Sequence, residues 1–146
     1  MISLPDAEAT EALGAKIAPL LRRHDVIALH GDLGAGKTTL VRGILRGLGF
    51  DGEVASPTFP IVQPYEELAV PVWHVDLYRI EDPAELEELA LDEAREAAAL
   101  LIEWPERLGG ALWPEALLLT LARTGDGARA LTAQVPAAWG ERWPPR

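Results

Sequence analysis

The sequence predicts an α/β domain: a mostly parallel central sheet flanked by helices and closed by a C-terminal antiparallel hairpin. Three observations carry this. VIALH (26–30) and AALLIE (98–103) are short apolar runs bounded by turn formers, the pattern of strands buried on both faces. Segments with helical spacing alternate with such runs, as layered α/β sheets require. Near the end, EALLLTLA and ARALTAQV stand on either side of RTGDG, which reads as a hairpin turn.

In chain order, MISL predicts a short first strand. From Asp6 to about Arg23, Leu13, Ile17, Leu20 and Leu21 recur at helical spacing, and Pro19 inside that pattern predicts a kink or a break. VIALH is followed by a glycine-rich loop and a helix of TTLVRGILRGLG type, ended by Gly47 and Gly49. DGEVASPTFP (51–60) has turn formers and no period, so it reads as a loop. IVQPYEE and VPVWHVDLYRI read as two strands joined by a short turn, with Trp73 in the core. DPAELEEL opens a helix with Asp82 at the N-cap, Pro83 at the first helical position and Glu85 completing a capping box. The acids of EDPAELEELALDEARE form a solvated helix face. AALLIE and the hairpin complete a domain spanning residues 1–135. The Pro/Trp-rich tail at 136–146 reads as loosely held.

A chain of 146 residues suits one domain. No apolar run approaches the roughly 20 residues that span a bilayer, so no membrane is expected. MISLPDAEAT lacks the basic and apolar regions of a signal peptide, and the chain has no cysteine. A cytoplasmic location is the expectation. The net charge is −10, from 23 acids against 13 bases. That sign disfavours unaided binding to phosphate backbones and favours a basic protein partner.

Gly31-Asp32-Leu33-Gly34-Ala35-Gly36-Lys37-Thr38 fits G-x-x-x-x-G-K-[ST] at every position. The fold expected is therefore a P-loop NTPase-like domain. Its glycines let successive N–H groups converge on a phosphate, and the following helix turns its positive end toward it. The nucleotide-binding stretch runs from Asp32 through Leu33, Gly34, Ala35, Gly36, Lys37 and Thr38 to Thr39. Lys37 reaches the β- and γ-phosphates of a nucleotide, and the Thr38 hydroxyl ligates Mg²⁺. Such a loop also needs acids for the metal and the attacking oxygen. Asp76 and Glu103 each end an apolar strand, where ligands of open α/β sheets bind. Thr58 of SPTF supplies a hydroxyl able to sense the γ-phosphate. His24, His30 and His74 have no metal-ligand spacing and read as structural, while Trp104 lies near the nucleotide or on an exposed rim.

GDLGAGKTTLVRGILRGLG, SPTF, HVDLYRI with DPAELEELALDE, and IEWPERL occur in this order and spacing. Together they resemble the TsaE (formerly YjeE) family, small bacterial ATPases of tRNA threonylcarbamoyladenosine formation, from about Leu4 to about Val135. The resemblance implies slow hydrolysis of ATP with Mg²⁺ and work with two partner proteins, TsaB and TsaD, with tRNA met through that complex. It implies that Glu103 is the metal-linked acid, Asp76 the second site acid and Thr58 the switch hydroxyl. Trp104 matches the Trp beside the site, and Thr10 and Arg129 match positions near the nucleoside. A small-molecule kinase and a binding module without turnover are the alternatives. A GTPase is disfavoured, because the chain contains no asparagine and so no N-K-x-D element to read guanine.

Overall fold

The computed structural model describes residues 1–32, 34–54 and 62–145. A seven-stranded sheet forms its centre, with strands β1 Ile2–Leu4, β2 Val26–His30, β3 Val62–Tyr65, β4 Val72–Asp76, β5 Ala99–Glu103, β6 Leu117–Arg123 and β7 Arg129–Gln134. The spatial order is β1-β7-β6-β2-β5-β4-β3. The four central strands, β6, β2, β5 and β4, are parallel, and β1, β7 and β3 are added antiparallel. Pro64 sits in β3, the edge strand, where a missing N–H does least harm.

The predicted elements form, with adjustments. Helix α1, Ala7–Ile17, is capped by Asp6, whose side chain accepts from the Ala9 N–H at 2.8 Å. It ends before Pro19, which lies in a 3-10 turn, Ala18–Leu20. Helix α2 is Lys37–Gly47. The acidic stretch forms two helices, α3 Pro83–Glu88 and α4 Leu91–Ala97, separated by Ala90 in the left-handed region (φ 52°). The Asp82 cap holds the Ala84 N–H rather than that of Glu85, so the capping box is realised only in part.

Period-2 alternation sorts the central strands between two cores. Ile27, Leu29, Ala99 and Leu101 face α1 and α2, joining Leu13, Ile17, Leu40, Val41, Ile44 and Leu45. Val26, Val75, Leu100 and Ile102 face the other way, toward Leu91, Ala94 and Leu108, with Trp73 packed against them. Helices α1 and α2 approach very closely because both carry glycine where they cross. A Cβ on Gly14 would lie 2.5 Å from the Leu40 carbonyl oxygen, and one on Gly43 would fall on that of Glu11.

The tail corrects the expectation of a loose end. Trp139 is only 1% exposed and belongs to the α1–α2 core. The Arg142 guanidinium lies 4.1 Å from its ring centroid and makes two bonds to Asp25, at 2.7 and 3.1 Å. A third bond goes to the Leu20 carbonyl. The tail is thereby pinned beside the start of β2.

Candidate functional site

Strand β2 ends at His30, and the glycine loop follows directly at the carboxyl end of the parallel strands. Gly36 is the N-cap of α2 with φ 103°, a conformation that a Cβ strains. Gly34 has φ 77°, and its missing Cβ leaves room for the Arg123 guanidinium. The turn closes through the Ala35 N–H, which donates to the Asp32 carbonyl at 3.0 Å. Ala35 is 1% exposed, packed beneath the loop.

A cavity of about 320 Å³ opens over the N-terminus of α2. Gly34, Gly36, Lys37, Thr38 and Thr39 line its middle. On the β5–β4 side stand Glu103, Trp104 and Asp76; on the β7 side stand Arg129, Gly127 and, from α1, Thr10 and Ala7. The orphan N–H groups and the dipole of α2 make this a place for an anion.

Lys37 is buried; its ammonium donates to the Gly31 carbonyl at 2.5 Å and lies 3.4 Å from the centroid of the Trp104 ring. Burial pushes the Lys37 pKa below its ordinary 10.5, opposed in part by Glu103, Glu106, Asp76 and Asp32. Trp104 adopts φ 62°, costly for a residue with a Cβ. Tyr78 packs against the same indole, with centroids 4.8 Å apart. Trp104 is therefore half-buried rather than on an exposed rim, with its ring against the Lys37 ammonium.

Asp76 and Glu103 are register partners on neighbouring parallel strands. Glu103 is 2% exposed and accepts from the Thr38 hydroxyl at 3.2 and 3.1 Å through its two oxygens. Asp76 is half-buried, and its Oδ1 accepts the Tyr78 N–H at 2.9 Å. Among the described residues there is no cluster of three or more His, Cys, Asp or Glu able to hold a metal by themselves. The Thr38 hydroxyl and the Glu103 carboxylate are hard oxygen donors already in mutual contact. Such a pair fits Mg²⁺, which takes one or two protein ligands and completes its shell with phosphate oxygens and water.

Arg129 does something the sequence did not suggest. Its Nε donates to the Ala35 carbonyl at 2.9 Å and its Nη2 to the Gly34 carbonyl at 3.0 Å. The arginine therefore grips the loop itself as well as lining the cavity. Thr10 is buried, lines the cavity and returns its hydroxyl to the Asp6 carbonyl at 3.3 Å. Thr39 lines the cavity, whereas Asp32 is exposed and contributes charge near Lys37. Leu33 and Thr58 lie outside the described residues.

Two histidines have structural settings. The ring Nδ1 of His24 lies 2.8 Å from the Arg95 carbonyl, and His30 lies 3.0 Å from Glu106. His74 is the residue that sequence reasoning underrated: it is fully buried with Nε2 2.6 Å from Glu103 Oε2. The available signal was its position two residues before Asp76 on a strand, hence on the same face.

The chain is similar to known proteins over most of its length. The family model described as "Threonylcarbamoyl adenosine biosynthesis protein TsaE" matches residues 4–131. A protein of Synechocystis sp. named tRNA threonylcarbamoyladenosine biosynthesis protein TsaE is 46% identical over 110 residues, 72% of this chain and 69% of its own. One of the same name from Streptomyces coelicolor is 41% identical over 135 residues, 90% of this chain and 91% of its own. The crystal structure of Bacillus subtilis YdiB superposes with a TM-score of 0.80 at 31% identity, covering 94% of this chain and 86% of that one.

Proposed function

This chain belongs to the TsaE family of threonylcarbamoyl adenosine biosynthesis proteins, and from that premise we propose that it is a slow, Mg²⁺-dependent ATPase. It acts as a nucleotide-driven switch for a TsaB–TsaD complex that modifies tRNA in the cytoplasm. The observation that carries this reading is the convergence of Lys37, Thr38 and Glu103 on one cavity at the N-terminus of α2. Such a site suits a triphosphate.

The chain's own residues divide the work. The N–H groups of the loop and of the first turn of α2 receive the β-phosphate. The Lys37 ammonium exchanges the Gly31 carbonyl for phosphate oxygens and offsets their charge. Thr38 and Glu103 would hold Mg²⁺, which would supply positive charge against the negative charge that develops on the phosphates. Asp76, beside Glu103 on the next strand, orients the attacking water and accepts its proton as the bond to the γ-phosphorus forms and that to the leaving ADP oxygen breaks. Trp104 covers Lys37 and keeps bulk water from the phosphates. Thr10 and Arg129 stand on the nucleoside side, and Thr58 keeps the γ-phosphate-sensing role that the family resemblance gives it.

Slow turnover is expected with Arg129 holding the loop carbonyls of Gly34 and Ala35. A cation supplied by a partner raises such rates. The excess of acids, 23 against 13 bases, supports docking to a basic protein surface, with tRNA met only through the complex. No helix among the described residues is long and apolar enough to cross a membrane.

The test is ATP hydrolysis by the pure protein, alone and with TsaB–TsaD, with Lys37→Ala as the blank. The reading expects slow turnover that the pair alters and Lys37→Ala abolishes. Brisk turnover indifferent to the pair would point to a phosphoryl acceptor and a kinase. ATP binding without turnover in either condition would point to a binding module.

A further inference from the structure

The division of work above leaves His74 without a task, yet a polar ring at 0% exposure is tolerated only where it is bonded. β4 and β5 run parallel with His74 opposite Leu101 and Asp76 opposite Glu103. His74 and Glu103 are therefore diagonal neighbours on one sheet face, the face that packs on α2. The His74 ring meets the carboxylate through Nε2, 2.6 Å from Oε2. Its Nδ1 is buried and has no hydrogen-bond partner among the described residues. Among the described residues, the polar engagement of the ring is thus with Glu103.

That engagement resolves an ambiguity the backbone leaves open. The terminal torsion of a glutamate is broad, so strand position does not decide which oxygen faces the cavity. The Thr38 hydroxyl does not decide it either, because it stands 3.2 Å from Oε1 and 3.1 Å from Oε2. The short contact to His74 is made by Oε2, which distinguishes it from Oε1.

We propose that His74 is a positioning residue for Glu103: its Nε2–H holds Oε2, so that Oε1 and the Thr38 hydroxyl converge on the place of Mg²⁺. His74 itself touches neither metal nor nucleotide. This inference rests on the assignment of Glu103 and Thr38 to the metal. Partners that orient a ligand in this way change metal affinity by roughly 10- to 100-fold when removed.

Three variants separate the possibilities. His74→Leu fills the space without a donor, His74→Gln offers an amide N–H near the position of Nε2, and Glu103→Gln tests the metal assignment itself. Mn²⁺ affinity is read by electron paramagnetic resonance at saturating ADP, and ADP affinity is read separately in EDTA. The expectation for His74→Leu is Mn²⁺ binding roughly 10- to 100-fold weaker, with most of the loss restored in His74→Gln. ADP affinity in EDTA stays within about twofold of the parent, because the histidine acts only through the metal ligand.

Unchanged Mn²⁺ affinity in His74→Leu, with Glu103→Gln impaired, overturns the positioning role alone. Equal impairment in Leu and Gln reduces His74 to shape and overturns it too. Unchanged affinity in Glu103→Gln removes the metal assignment, and the proposal falls with it. A measurement on the unaltered protein stands even if a variant fails to fold. The chain has three histidines, and ¹⁵N ring shifts identify which nitrogen of each is protonated. A proton on His74 Nε2, with a signal that moves when Mg²⁺ joins the ADP complex, is expected. A proton on Nδ1 with Nε2 bare overturns the proposal.

Discussion

Removing Arg129 tests whether the glycine loop is shaped from outside. In a trans peptide the C=O and the following N–H point in opposite directions. When Arg129 takes the carbonyl of Ala35, it turns the Gly36 N–H away from itself, and the bond to Gly34 restrains the preceding peptide in the same manner. Arg129→Ala loses two charge-assisted bonds to the loop, besides one to the adjacent Ala128 carbonyl. The Nε bond is partly buried and contributes about 1.5–2 kcal/mol, while the exposed Nη2 bond is discounted to about 1 kcal/mol. Together they bias the loop by about 2.5–3 kcal/mol, which corresponds to at most roughly 60- to 150-fold in affinity for a ligand needing that shape. The assay is titration of a fluorescent ADP, with inorganic pyrophosphate as competitor. A loop effect weakens both ligands, whereas loss of a nucleoside contact weakens ADP alone. Arg129→Lys, a point donor without the fork, is expected between parent and Ala. Pyrophosphate affinity unchanged in Arg129→Ala would refute the argument.

If the glycine loop binds phosphate as proposed, Lys37 makes that binding pH-dependent. Burial lowers its pKa below 10.5 in the free protein, and bound phosphate raises it again. Binding therefore takes up protons between the two values, and affinity falls as pH climbs through that alkaline window; calorimetry in buffers of different ionisation enthalpy reads the uptake, and Lys37→Arg should lose it. By the same sign, free-protein stability rises with pH between the folded value and 10.5, because there the unfolded chain binds more protons. Trp139→Ala empties a fully buried site and costs about 3–5 kcal/mol. With m near 2 kcal/mol per M, the urea midpoint drops by roughly 2 M, and an unchanged midpoint would show the tail to be dispensable. Gly43→Ala drives a methyl onto the Glu11 carbonyl and costs about 1–3 kcal/mol despite its better helix propensity. A raised melting temperature would contradict the close crossing of α1 and α2.

Much of this protein is legible in its sequence. The glycine loop, the strand-end acids and the central strands rest on local relations: glycines at fixed offsets, buried runs between turn formers, a cap before a helix. Such relations are legible because neighbours in the chain remain neighbours in space, and the similarity to known relatives runs through the same segments. The misreadings are of another kind. Pro and Trp made the tail look loose, but Trp139 is held by α1–α2 core residues and Arg142 by Asp25, a residue 117 positions earlier. The division of the acidic helix at Ala90 has no glycine or proline to announce it.

The sequence by itself determined the α/β class, the glycine loop and the strand-end acids beside it, because each depends on residue type and spacing alone. Tertiary structure decided how those parts act on one another. The pairing of β4 with β5 turned His74 toward Glu103, across 29 residues. The β6–β7 hairpin brought Arg129 back to a loop 94 residues away. Strand register and sheet order are properties of the whole packed sheet, since a slip of one residue exchanges every side chain between its two faces.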